Sequence, residues 1–140
     1  MNSVVYYNQG TKRYHDGDYN IAIDAFTKAI ELDPDLAVAY TNRGVAYLRL
    51  DNYTKAVKDF TKAIELDPMN ASPHSNKGVV LACLEDYQGA IDSFTKAIEL
   101  DPTDGGIYHN RGYAREKMGD KQGATNDYNQ ASILGIGGES

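Results

Sequence analysis

Very little in this sequence points to chemistry of its own. A single cysteine, Cys83, excludes an internal disulfide and a cysteine-built metal cluster. No HExxH, no CxxC and no phosphate-binding glycine loop occurs, so those signatures of metal, thiol and nucleotide chemistry are missing. Apolar runs are short, and none approaches the ~18 residues of a membrane span. The start, MNSVVYYNQG, has neither the basic region nor the long apolar region of a secretory signal. Positive charge is scarce: 14 Lys and Arg stand against 20 Asp and Glu, a net charge of −6. That balance argues against a general affinity for nucleic acid or anionic membranes. Hydrophobic residues at 41% and charged residues at 24% exclude a wholly disordered chain. Its 140 residues are enough for one domain with its own core. These absences predict a soluble, acidic, cytoplasmic domain over 1–140 with no metal, no cofactor, and no nucleic-acid or membrane partner.

What the chain does have is repetition. The nonapeptide FTKAIELDP occurs three times, ending at Pro34, Pro68 and Pro102, a spacing of 34 residues. That frame predicts repeats 3–36, 37–70, 71–104 and 105–138, with 135–140 as a frayed tail. Each repeat holds two amphipathic patterns, A and B, parted by a short polar turn. Asp18, Asn52, Asp86 and Asp120 close these turns as expected N-caps for the B helices. In the second repeat Tyr53, Ala56, Val57, Phe60, Ala63 and Ile64 recur at helical spacing. The Asp-Pro pair then stops the helix, because the residue before proline is pushed out of helical conformation.

Small and flat residues alternate in register. Repeat position 8 is Gly10, Gly44, Gly78 and Gly112, and position 20 is Ala22, Ala56, Ala90 and Ala124. A glycine inside a helix costs about 1 kcal/mol against alanine, so four in register need a packing reason. Close approach of helix A to helix B supplies one, with rings at position 4 (Tyr6, Tyr40, His74, Tyr108) and position 24 (Phe26, Phe60, Phe94, Tyr128).

This pattern resembles the tetratricopeptide repeat, with an aromatic residue at 4, Gly at 8, Tyr47 at 11, Ala at 20, Phe at 24, Ala at 27 and Pro at 32. The resemblance covers nearly the whole chain and departs in repeat 4, which has Tyr128 at 24 and Ile136 at 32. It implies an all-α, right-handed α-solenoid superhelix of four antiparallel helix-turn-helix repeats. The A helices would line a concave surface and the B helices would lie outside. Solenoids need polar outer faces at their ends. Lys121, Thr125 and Ser132 replace the apolar residues that repeats 1 to 3 carry at positions 17, 21 and 28, so the last B helix is expected to cap the array. At the other end, Val4, Val5, Tyr6 and Tyr7 are expected to leave an apolar face open to self-association.

An active site is not expected. Glu31, Glu65 and Glu99 recur every 34 residues, which marks a structural role rather than a unique general acid, and His74 occupies a packing position. The A-helix surface is the better candidate. Positions 2, 6, 9 and 13 form one stripe, flanked by 5 and 12, opposite the 4–8–11 packing stripe. Position 6 is Asn8, Asn42, Asn76 and Asn110. An asparagine amide both donates and accepts, so this ladder could hold the backbone of an extended peptide. Its other use would be to bond the neighbouring repeat as a spacer. The resemblance favours the first: in superhelices of the O-GlcNAc transferase type, asparagines at this position bind peptide backbone. Selectivity would come from Tyr7, Thr11, Tyr14 and His15 in repeat 1, and from Thr41, Val45, Leu48 and Arg49 in repeat 2. Ser75, Val79, Ala82 and Cys83 in repeat 3 and His109, Tyr113, Glu116 and Lys117 in repeat 4 complete the set. Arg49 and Lys117 against Glu116 leave the groove slightly positive, which suits a neutral or mildly acidic segment.

Two further expectations concern specific ligands. The carboxylate clamp of chaperone-binding members needs Lys at 5 and Asn at 9, then Asn at 6, then Lys at 2 and Arg at 6, over three successive repeats. This chain offers Tyr7, Thr11, Asn42, Ser72 and Asn76, or Thr41, Val45, Asn76, Gly106 and Asn110. Only the asparagine at 6 survives, so that clamp is not expected. Position 7 (Gln9, Arg43, Lys77, Arg111) is mostly basic and is expected to pair internally near the Asp33, Asp67 and Asp101 turns rather than bind phosphate. The sequence thus predicts a non-catalytic scaffold, monomeric or weakly self-associating, that binds an extended segment of a partner protein. The alternative is an assembly module docking through its ends or convex face.

Overall fold

The computed structural model describes residues 1–135, and among these the regular elements are eight helices and no strand. They are α1 (Ser3–His15), α2 (Tyr19–Leu32), α3 (Ala37–Arg49), α4 (Tyr53–Leu66), α5 (Ala71–Cys83), α6 (Tyr87–Leu100), α7 (Gly105–Lys117) and α8 (Lys121–Ile133). The chain divides into two compact units, the first Met1–Pro68 and the second from Met69 onward. In the first, α1 packs on α2, α2 on α3 and α3 on α4; in the second, α5 to α8 repeat that scheme.

Local chemistry explains the boundaries. Asp33, Asp67 and Asp101 stand before proline with φ between −141° and −145°, which ends α2, α4 and α6. The A–B turns place one residue of each repeat in the left-handed region: Gly17, Asp51, Glu85 and Gly119, with φ of 59° to 85°. Glycine is at ease there, whereas Asp51 and Glu85 are not. Asn52, Asp86 and Asp120 cap the B helices by accepting from the backbone N–H of Lys55, Gly89 and Gly123. Asp18 departs from the expected cap: its carboxylate turns to Arg13, 3.8 Å away, and makes no capping bond. Three A-helix caps have no counterpart in the sequence reading, namely Asn2, Asn70 and Asp104.

The core is a ladder of rings under glycines. Phe26, Phe60 and Phe94 are fully buried among Ala22, Ala29, Ala56, Ala63, Ala90 and Ala97. A Cβ added to Gly10, Gly44 or Gly78 would meet the Phe26, Phe60 or Phe94 ring at 2.6, 2.7 or 2.5 Å. No side chain fits in that space, so the glycines set the distance between paired helices. Gly112 faces Tyr128 in the same way, at 2.9 Å.

In α8, Lys121, Thr125 and Ser132 are exposed. The expected tail begins at Gly135, and its remainder, with Ile136, lies outside the described residues. In α1, Val4 and Val5 are exposed as expected, but Tyr6 and Tyr7 are half-buried. Lys12, exposed, stands where the later repeats bury Ala46, Val80 and Ala114, so the first repeat carries a polar face of its own.

Candidate binding surface on the A helices

Each unit forms one hollow between its two A helices, and both use the same repeat positions. In the first unit Thr11, Tyr14 and His15 of α1 and Asn42 and Val45 of α3 surround it, with Phe26 of α2 at its base. In the second, Val79, Ala82 and Cys83 of α5 and Asn110 and Tyr113 of α7 surround it, with Phe94 of α6 at its base. The two sets differ by 68 residues at every position. The volumes differ, about 120 Å³ against about 250 Å³. The bulk of Tyr14 and His15, set against Ala82 and Cys83, accounts for this. The phenylalanine floors escaped the sequence reading, although Gly at 8 facing Phe at 24 was the signal for a ring at that depth.

The four asparagines are not equivalent. The Asn42 side-chain amide donates to the Tyr7 hydroxyl at 2.8 Å, a bond between the two A helices of its unit. That bond is the one a spacer would make, the second of the two uses the sequence left open. Asn76 makes a long bond, 3.4 Å, to Ser72 in its own helix. Asn8 is exposed. Asn110 is half-buried on the rim of its hollow, and its side chain makes no hydrogen bond among the described residues.

The other expected residues divide similarly. Val45, Tyr14, Val79 and Tyr113 line the hollows. Thr41 departs from the expectation: it is only 7% exposed and its hydroxyl donates to the Ala37 carbonyl, so it offers almost no surface. Tyr7 is half-buried, its ring 5.9 Å from that of Phe26. Arg49 donates from Nε to the Tyr14 hydroxyl at 3.0 Å, and this bond raises its pKa further above the ordinary range. Lys117 stands at the matching place in the second unit, with Nζ 5.5 Å from the centre of the Tyr113 ring. His109 is exposed and stacks obliquely on Tyr128 at 5.2 Å. Tyr128 in turn donates to the Glu116 carboxylate at 3.0 Å; its pKa is raised, first by burial and then by this bond.

Two of the basic residues at position 7, Arg43 and Arg111, pair internally, but not with the turns; Lys77 departs from the expectation and makes no ion pair among the described residues. Arg43 forks onto Asp59 of α4 through Nε and Nη2, at 2.8 and 2.7 Å, and its Nη1 reaches Thr27 of α2. The bond to Asp59 outweighs the cost of burial and raises the Arg43 pKa. Arg111 repeats this with Asp127 and Thr95, and Arg115 adds a second cation to Asp127 at 3.0 Å. Asp59 and Asp127 are 4% and 3% exposed. The expected proximity to Asp33, Asp67 and Asp101 is replaced by carboxylates one helix over, whose fork geometry a guanidinium matches. Among the described residues no group of His, Cys, Asp and Glu could hold a metal, and no helix is long and apolar enough to cross a membrane.

Comparison with known proteins agrees with this architecture. No curated protein sequence matches the chain significantly. Among solved structures, the crystal structure of MamA is similar with a TM-score of 0.90 at 26% identity, over 95% of this chain and 78% of that one. MamA 41-end from Desulfovibrio magneticus RS-1 is similar with a TM-score of 0.89 at 22% identity, over 99% and 78%. The first TPR of Spaghetti (RPAP3) bound to the HSP90 peptide SRMEEVD gives 0.82 at 26% identity, over 84% and 95%. These likenesses support the all-α solenoid class expected from the repeat. Family profiles described as Tetratricopeptide repeat match residues 37–70, 71–104 and 93–126, and one described as TPR repeat matches 10–51. Matched in each of its four repeats, the chain belongs to the tetratricopeptide repeat family.

Proposed function

We propose that the chain is a non-catalytic scaffold whose A-helix faces hold an extended segment of a partner protein. The fold is one that serves protein–protein interaction, and one structural neighbour has a bound peptide, the HSP90 peptide SRMEEVD. The observation that carries the reading is the pair of hollows, each with a phenylalanine floor and an asparagine on its rim, whose six lining residues correspond one to one at a spacing of 68. An apolar floor with one amide beside it suits a peptide: a side chain fills the hollow while the amide bonds the backbone. In the first unit the surface comprises Asn8, Asn42, Tyr7, Tyr14, Val45 and Arg49, with Thr41 beneath. In the second it comprises Asn76, Asn110, Val79, His109, Tyr113 and Lys117. A carboxylate clamp of the chaperone-binding kind is not the means of binding, because four of the five clamp positions are changed in either frame.

The test is selection of binders from a random heptapeptide library on the immobilised chain, followed by fluorescence polarisation. An Asn76→Ala, Asn110→Ala variant, shown by circular dichroism to be equally helical, should bind the selected peptides five-fold to a hundred-fold more weakly. That range follows from about 0.5–1.5 kcal/mol for each backbone bond. Unchanged binding sinks the reading. The competing assembly role has one observation in its favour, the exposed Val4 and Val5 on α1. It predicts a mass that rises with concentration and falls back in Val4→Lys, Val5→Lys.

A further inference from the structure

We infer that the hollow of the second unit reads a short acidic motif: an aliphatic side chain seated on Phe94, with a carboxylate two residues away held by Lys117. The inference rests on the peptide-binding reading and names the class of partner for that site.

The first part of the argument is shape. Val79, Ala82, Phe94 and Tyr113 give the hollow apolar walls and floor, and its volume is about 250 Å³, roughly twice that of its counterpart. The side chain that fits is therefore larger and aliphatic or thioether, not a hydrogen-bonding one. Asn110, with no hydrogen bond among the described residues, is placed on the rim to bond the peptide backbone. Its counterpart Asn42 is engaged by Tyr7, so the first unit lacks this combination.

The second part is charge. On a chain of net −6, the A helices of this unit, α5 and α7, carry Lys77, Arg111, Arg115 and Lys117 against the single acid Glu116. Most of these charges are already engaged. Arg111 and Arg115 converge on Asp127, and Glu116 is drawn to the Tyr128 hydroxyl. Lys77 lies on the flank at position 7. Lys117 remains at the hollow, exposed, its ammonium held 5.5 Å over the ring of Tyr113, which itself lines the hollow. Like-charged segments are repelled there and carboxylates attracted.

The third part is spacing. Tyr113 and Lys117 are one helical turn apart, about 6 Å on the same face. Side chains on one side of an extended peptide recur every two residues, about 6.6 Å. A carboxylate two positions from the aliphatic residue therefore meets Lys117, whereas one at the adjacent position points away.

The experiment is fluorescence polarisation of the full chain with labelled, end-blocked heptapeptides that have Leu at the centre of a Gln background. Glu or Lys is placed two positions from Leu, or Glu at the adjacent positions. Wild type should bind the Glu-at-two peptide about five-fold tighter than the all-Gln peptide, and the Lys peptide more weakly still. The preference should shrink as salt rises from about 50 to about 500 mM. Lys117→Glu should reverse the order of the Glu and Lys peptides, and the control Lys96→Glu, on α6, should keep it. Ala82→Tyr, checked for equal helicity, should weaken all the peptides about ten-fold or more by filling the hollow. Equal binding of the Glu and Gln peptides, no difference between the two Glu registers, or a preference that survives Lys117→Glu overturns this inference and leaves the hollow a peptide site. No binding by any peptide, or binding that Ala82→Tyr leaves untouched, overturns the hollow itself.

Discussion

The two units solve one packing problem with the same parts and then diverge at their surfaces. Both use a glycine under a ring to bring each helix pair together, and both pin their second A helix with an arginine forked onto a buried aspartate and a threonine of the preceding B helix. Neither the arginine nor the aspartate is present in repeats 1 and 3, where positions 7 and 23 hold Gln9 with Ala25 and Lys77 with Ser93. The period of the fold is 34 residues, but the period of its buried ion pairs is 68. At the A-helix faces the likeness stops. In the first unit aromatic and polar side chains close the hollow to about 120 Å³ and the asparagine amide is spent on Tyr7. In the second the α5 side chains Ala82 and Cys83 are small, and the Asn110 side chain makes no hydrogen bond among the described residues. Helix packing tolerates little variation because the rings are fully buried, whereas rim residues can change without cost to the core.

Removal of the buried carboxylates should have the largest effect. Asp59→Ala strands Arg43 and should cost about 3–5 kcal/mol in a urea titration followed by circular dichroism. Asp127→Ala strands both Arg111 and Arg115 and should cost at least as much. A smaller loss for Asp127 would mean that Arg115 finds water and adds nothing. Next come the glycines. Gly44→Ala forces a Cβ to 2.7 Å from the fully buried Phe60 ring and should cost about 1–3 kcal/mol in the same titration. Gly112→Ala should cost less, since Tyr128 is half-buried and has room to give.

Tyr7→Phe sharpens the contrast between the hollows by releasing the Asn42 amide. It should lower stability by about 0.5–1.5 kcal/mol and, if peptide backbone is the natural partner of that amide, increase the affinity of selected peptides. Isothermal titration of a selected peptide with both proteins decides it. The smallest effect concerns the interhelical turns. Asp101 accepts from both the hydroxyl and the N–H of Thr103, at 2.6 and 3.1 Å, and these bonds lower its pKa. Because the folded state favours the ionised form, the turn should stabilise the chain at neutral pH. That contribution should fade as pH falls through the lowered value. Thr103→Val should move the Asp101 titration, read by NMR, back up toward the ordinary carboxylate value. In the first unit Asp33 has only a long contact from the backbone N–H of Asp35 at 3.3 Å, which Asp35→Val retains, so that change should leave its turn undisturbed.

By itself the sequence determined the repeat frame, the helix ends and the glycine-under-ring packing. Those features depend on neighbours along the chain, on the backbone limits of Pro and Gly, or on residues recurring in strict register. Three of the four B-helix caps were legible for the same reason. Position 6 was read as part of the A-helix face, where Asn42 and Asn110 line the hollows, but the sequence left its use open: the Tyr7 hydroxyl bonds Asn42, while no such group reaches Asn110. Only the tertiary structure decided where long or mobile polar side chains found partners: Arg43 and Arg111 on Asp59 and Asp127, Glu116 on Tyr128, Asp18 on Arg13. Each of these side chains could reach several groups, and the choice among them turns on burial and fork geometry, which exist only once the helices have packed.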